Sequence, residues 1–242
     1  MRPRTVLRAP GALFTGVALV TLASAPAAAA GPAAAAASAA VMAPIEEYLA
    51  TPVAEAALAR SAAPASISGQ ATVMVLTKQG YRTVARGTNG FTCLVERSWM
   101  SPFASAQFWN PRMRGPVCYN PAASGSILEY TLLRTRLALA GRTKEQMLED
   151  IRAALAHHQL PMPAPGAMSY MMSKDGVLGD ALTHWHSHLM FHVPKTDAAS
   201  WGANLEGSPV VLDDRPLPEP ETVFLVPVAR WSDGSAAPPV SP

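Results

Sequence analysis

From residue 71 onward, apolar positions alternate with a period of two in several short runs, and two stretches between them repeat at helical spacing. Residues 71–76, 81–85 and 91–96 are rich in β-branched and aromatic side chains. Lys78-Gln79-Gly80 and Gly87-Thr88-Asn89-Gly90 separate them, which predicts three strands in an antiparallel meander, Asn-Gly being a strong hairpin signal. Residues 99–126 hold Pro102, Pro111, Pro116 and Pro121 and read as a long irregular loop. Residues 127–140 place Tyr130, Leu133 and Leu137 on one helical stripe that Gly141 stops. Thr143 and Gln146 fit a capping box for a second helix, with Met147, Leu148, Ile151, Ala154 and Leu155 on its buried face. After the proline-rich run from Leu160, period two returns: strands are predicted at 167–172, 184–193, 209–212 and 223–228, with a helical turn at 200–205. Upstream, Ile45, Leu49, Val53, Ala56 and Leu58 predict an amphipathic helix within 44–60, which Pro52 would kink or restart. Strands, then helices, then strands predict an α+β fold, an antiparallel sheet with helices packed on one side.

The first residues follow another pattern. Arg2, Arg4 and Arg8 precede a mostly apolar run over 9–22, followed by Ala-Ser-Ala and a long alanine tract. A basic start, a short apolar stretch and small residues at the cut are the signature of a secretory signal. The run falls short of the about 20 apolar residues that a spanning helix needs. The expected organisation is a signal peptide over 1–30 with cleavage between 25 and 40, and an alanine-rich linker with a short helix over 31–70. One globular domain over 71–232 and a disordered tail over 233–242 follow. Loss of the three arginines takes the formal charge from +2 to about −1, so the mature chain has no basic stripe for phosphates and nucleic acid is not an expected partner. No transmembrane segment is expected after cleavage, and the expected location is periplasmic or secreted.

Export also changes the reading of the two cysteines. In an oxidising compartment an even count favours a disulfide between Cys93 and Cys118, which would fasten the proline-rich loop to the third strand. The sharpest chemical pattern lies in His184-Trp185-His186-Ser187-His188-Leu189-Met190-Phe191-His192-Val193. On a strand, His184, His186, His188, Met190 and His192 share one face and Trp185, Leu189, Phe191 and Val193 the other. Imidazole is a common ligand for zinc and copper. Residues two apart on a strand lie about 6.5 to 7 Å apart, so a metal would take one histidine pair, His184 with His186 or His186 with His188. Further donors would come from His192, Glu129, Asp175 or Asp180. His157 and His158 sit where a helix C-terminus favours them, and Met162, Met168, Met171, Met172 and Met190 read as gap-filling core. The chain has no G-x-S-x-G, no HExxH, no S-x-x-K and no P-loop.

Gly87-Thr88-Asn89-Gly90-Phe91-Thr92-Cys93, Pro116-Val117-Cys118-Tyr119 and His188-Leu189-Met190-Phe191-His192-Val193-Pro194 together resemble a family of uncharacterised exported bacterial proteins without an assigned activity. The resemblance runs from about Ala71 and implies a shared domain, with the cysteine pair and His188 as family features. It brings no catalytic residues with it. Three readings follow from the residues. The first is an exported domain binding zinc, copper or a small ligand at the histidine face. The second is a secreted hydrolase or oxidoreductase with a histidine base, which requires a concave pocket holding His186 or His188 and a second titratable group. The third is a non-catalytic envelope or interaction module, which requires exposed rings at Phe103, Phe108 and Trp109.

Overall fold

The structure is a computed structural model in which residues 41–178 and 186–238 are described. Among them eight strands form one sheet: β1 (Thr72–Thr77), β2 (Gly80–Ala85), β3 (Thr92–Glu96), β4 (Gly115–Tyr119), β5 (Met168–Met171), β6 (His188–Pro194), β7 (Val211–Asp213) and β8 (Glu221–Pro227). Their order is β2-β1-β3-β4-β5-β6-β8-β7. The helices are α1 (Pro52–Arg60), α2 (Ala65–Ser68), α3 (Pro121–Ser124), α4 (Ile127–Leu139) and α5 (Lys144–Ala156). The fold is α+β, and its sheet is mixed but mostly antiparallel.

The exception corrects the expected meander. β1 and β2 form the hairpin, but β3 crosses to the other side of β1 and runs parallel to it. Gly87 makes that crossing possible, because a Cβ there would lie 2.3 Å from the backbone of Ala71 and Thr72. The crossing chain is tied down where it passes: Thr88 N–H donates to the Gln70 carbonyl at 2.9 Å, and the Asn89 side chain donates to the Ile67 carbonyl at 2.8 Å. Asn89-Gly90 is therefore a turn into β3, with Gly90 at φ 76°, and not the tip of a hairpin.

Local signals explain the helices. Pro52 occupies the first turn of α1, where its missing N–H costs nothing, and Thr51 caps the helix by accepting from Ala54 N–H at 3.3 Å. The expected helix over 44–60 is thus a 3-10 turn at Ile45–Tyr48 and a fresh start. Thr143 and Gln146 form the complete capping box of α5.

Alternate residues of the same strands divide between two cores. Val73, Cys93, Val95 and Cys118 pack with Ala59, Ala62 and Ala63 at the end of α1 and just beyond it. Leu94, Val117 and Tyr119 pack with Ile127, Leu128 and Tyr130 of α4 and Ile151 of α5. Successive strand residues point to opposite faces, so helices cover both faces of the sheet and not one. Residues 45–68 belong to this packed body, and Trp231 closes against the α4 core. Beyond it the chain stays hydrogen-bonded as far as Ala237, whose N–H meets the Ala229 carbonyl at 2.9 Å.

Cys93 and Cys118 face each other across β3 and β4 and are disulfide-bonded. The bond staples two neighbouring strands at the base of the proline-rich segment. The segment itself is held by a third core, where Trp99, Phe108 and Trp109 meet Tyr48, Ala138 and Met147. Among the described residues no helix is long and apolar enough to cross a membrane.

Candidate functional site

The α4 face of the sheet does not close completely. Between strands β3 to β8, helix α4 and the segments around Ser101 and Leu217 lies a cavity of about 350 Å³. Alternation on β6 turns His188, Met190 and His192 into it. On β8 the same period brings Glu221, Val223 and Leu225, and register places Glu221 opposite Pro194 and Val223 opposite His192. Glu96 enters from the end of β3, and Tyr119 from the end of β4.

The polar groups form three separate networks. The first is a triangle of oxygens. The Tyr119 hydroxyl hydrogen-bonds Glu96 Oε1, Thr131 Oγ1 lies 3.1 Å from the same oxygen, and the two hydroxyls are 2.9 Å apart. In the second, buried His192 lies between Glu221 Oε2, 2.8 Å from Nδ1, and Ser169 Oγ, 3.0 Å from Nε2. The third is a fully buried ion pair: Arg134 donates through Nε and Nη2 to the two oxygens of Glu219, at 2.7 and 2.8 Å. Its Nη1 donates to the carbonyls of Trp99 and Ser101, at 3.0 and 2.9 Å, and its guanidinium lies 4.7 Å from the centre of the Phe103 ring. Asp213 is paired with Arg215 at the rim.

Burial sets the protonation tendencies. It pushes the Glu96 carboxyl above the ordinary glutamate range, against the smaller opposing pull of the Tyr119 and Thr131 hydroxyls. It pushes the Tyr119 phenol well above its usual value. It pushes His188 down. His188 Nδ1 sits 2.6 Å from the His186 carbonyl, so Nδ1 carries the proton and the neutral ring bears its lone pair on Nε2. The site thus holds a carboxyl biased toward its acid form and an imidazole biased toward its base form.

The structure separates the histidines of the sequence motif. His188 and His192 line the cavity, His186 is exposed ahead of β6, and His184 and Asp180 lie outside the described residues. Glu129 and Asp175 are exposed and do not line the cavity. His192 does line it, with both ring nitrogens engaged. His157 and His158 are exposed after α5. Among the described residues, no group of three or more His, Cys, Asp or Glu side chains is placed to hold a metal ion. In the proline-rich segment Phe108 and Trp109 are buried and Phe103 packs on the core, so the three rings form no exposed patch.

Sequence reasoning missed Glu96, Tyr119, Thr131, Arg134, Glu219 and Glu221. Glu219 and Glu221 had a usable signal: Leu217-Pro218-Glu219-Pro220-Glu221 sets two acids at strand spacing immediately before an apolar strand. Arg134 had another, as a charge within the apolar sequence of α4. No protein-family model, curated protein or solved structure matches this chain.

Proposed function

We propose that this is an exported domain that binds a small organic molecule in the cavity on the histidine face of β6 and presents acid–base groups to it. One observation carries the reading: His188 and His192 turn into a concave, partly open cavity that also holds Glu96, rather than onto a flat surface. The volume lies at the small end of the range for ligand pockets, about 300 to 1,000 Å³. Its accessible surface is mostly apolar, as is usual for such pockets, with many charged and polar side chains set into it. Met100, Met113, Met171 and Met190 supply much of it, and their unbranched thioethers adapt to varied shapes. Glu96 suits the role of proton donor and His188 that of acceptor. The cross-strand disulfide agrees with an oxidising compartment.

The test is to fill the space. Fragments screened by ligand-observed NMR should give binders for the wild type that are lost in Met190→Trp, with melting curves showing that the variant is folded. Binders that survive the substitution, or a screen without binders, would sink the proposal. Zinc or copper binding, the other form of the reading, is tested beside it: a thermal upshift with Zn²⁺ or Cu²⁺ that His186→Ala abolishes would replace the organic ligand with a metal.

A further inference from the structure

The charges around the cavity do not cancel evenly. Arg97 is held by Glu55, with both side chains buried and oxygens at 2.6 and 2.7 Å. Arg134 is held by Glu219, Arg215 by Asp213, and Glu221 meets His192. Among the described residues, the remaining acid in the wall is Glu96. Its hydrogen-bond partners are the hydroxyls of Tyr119 and Thr131, and among the described residues no ion pair includes it. His192, Arg134 and Arg215 act on it only as longer-range attraction, because each is engaged by its own carboxylate. A partly buried carboxylate given only neutral donors lacks the compensation that an ionic partner supplies.

We infer that the cavity selects a ligand bearing one positive charge on an apolar body, an ammonium or amidinium, with Glu96 as its counter-ion. The inference rests on the small-molecule reading and names its ligand class. The geometry suits such a molecule. Glu96 shares the wall with Met100, Met113, Met171 and Met190, and Tyr119 and Tyr130 line the same space, aromatic rings being a favourable surface for a cation. An anionic ligand would face a surplus of acid, since the three arginines are already spent on Glu55, Glu219 and Asp213. Tyr119 and Thr131 fix the carboxyl, so that entry of a cation costs little rearrangement.

Three probes share one apolar body and differ in the end group: tryptamine, tryptophol and indoleacetate. Calorimetry on the wild type should show tryptamine binding about tenfold or more tighter than tryptophol, the scale of a partly desolvated ion pair, with indoleacetate weakest. In Glu96→Gln, which keeps the size and hydrogen-bonding reach of the side chain, tryptamine should fall to the level of tryptophol while tryptophol is unchanged. Lowering the pH on the wild type should remove the tryptamine advantage as Glu96 takes its proton, which tests the same point without a mutation. Equal binding of tryptamine and tryptophol, or a preference that survives Glu96→Gln, overturns the inference. If none of the three binds while other fragments occupy the cavity, the charge inference falls and the pocket reading stands. If Met190→Trp displaces nothing at all, both fall.

Discussion

Strands β3 and β4 serve two different purposes on their two faces. Under α1 they present Cys93, Val95 and Cys118, sealed by a disulfide and by small alanines that let the helix approach closely. Under α4 the intervening positions present Leu94 and Val117, and then Glu96 and Tyr119 at the strand ends where the packing opens. The first face is closed. The second face buries Arg97, Arg134, His192, Glu219 and Glu221 along a cavity, at a cost that a purely structural core avoids. The contrast argues that the disulfide face supplies stability while the polar face spends some of it on a preorganised site.

The largest effect should come from breaking the buried ion pair of the polar face. Arg134→Ala leaves Glu219 buried without its partner and releases two loop carbonyls, and should destabilise the protein by about 3 to 5 kcal/mol in urea unfolding. Arg134→Met combined with Glu219→Leu should recover most of that loss, because the cost lies in the orphaned charge. If the single and double variants were equally unstable, Arg134 would be acting as packing and not as a charge. Next in size is the sealed face. Replacing Cys93 and Cys118 together by alanine should cost about 3 kcal/mol, the loop-entropy value for a bridge of this span. Fragment binding in the cavity should persist in that variant at temperatures where it remains folded. Loss of binding without loss of fold would show that the two faces are not separable.

The sequence was legible where local chemistry decides. The capping box at Thr143, the stop at Gly141 and the alternation of His188, Met190 and His192 all act through neighbours a few residues away. The cysteine pairing was legible for a different reason, since two cysteines leave one intramolecular choice. What escaped depends on long-range pairing. β4 was hidden because Pro116 argued against a strand. The structure tolerates it because β5 pairs only with Cys118 and Tyr119, so the proline lies beyond the reach of the second neighbour. The parallel placement of β3 depends on Gly87 slipping over Ala71, which resembles an ordinary turn when read along the chain. Glu96 is 23 residues from Tyr119 and 35 from Thr131, so no window along the chain brings the triangle together.

The smallest effects, and the ones most specific to the polar face, should appear in the pH dependence of unfolding. Glu96 has a folded value above its unfolded one, so the folded state holds the proton longer. Stability should therefore fall as pH rises from the ordinary glutamate range, about 4.3, through the raised value, and level off above it. His188 has a folded value below its unfolded one. Its contribution should be intact above the ordinary histidine value of about 6.5 and be lost as pH falls toward the lowered value. Denaturation midpoints measured across this range should separate the two, because Glu96→Gln removes only the first slope and His188→Asn only the second. Bound tryptamine gives the comparison its sharpest form. An ammonium beside Glu96 favours the ionised carboxyl and should flatten or reverse the first slope while leaving the second in place. If the first slope survived with the probe bound, Glu96 would not be the group that meets the cation.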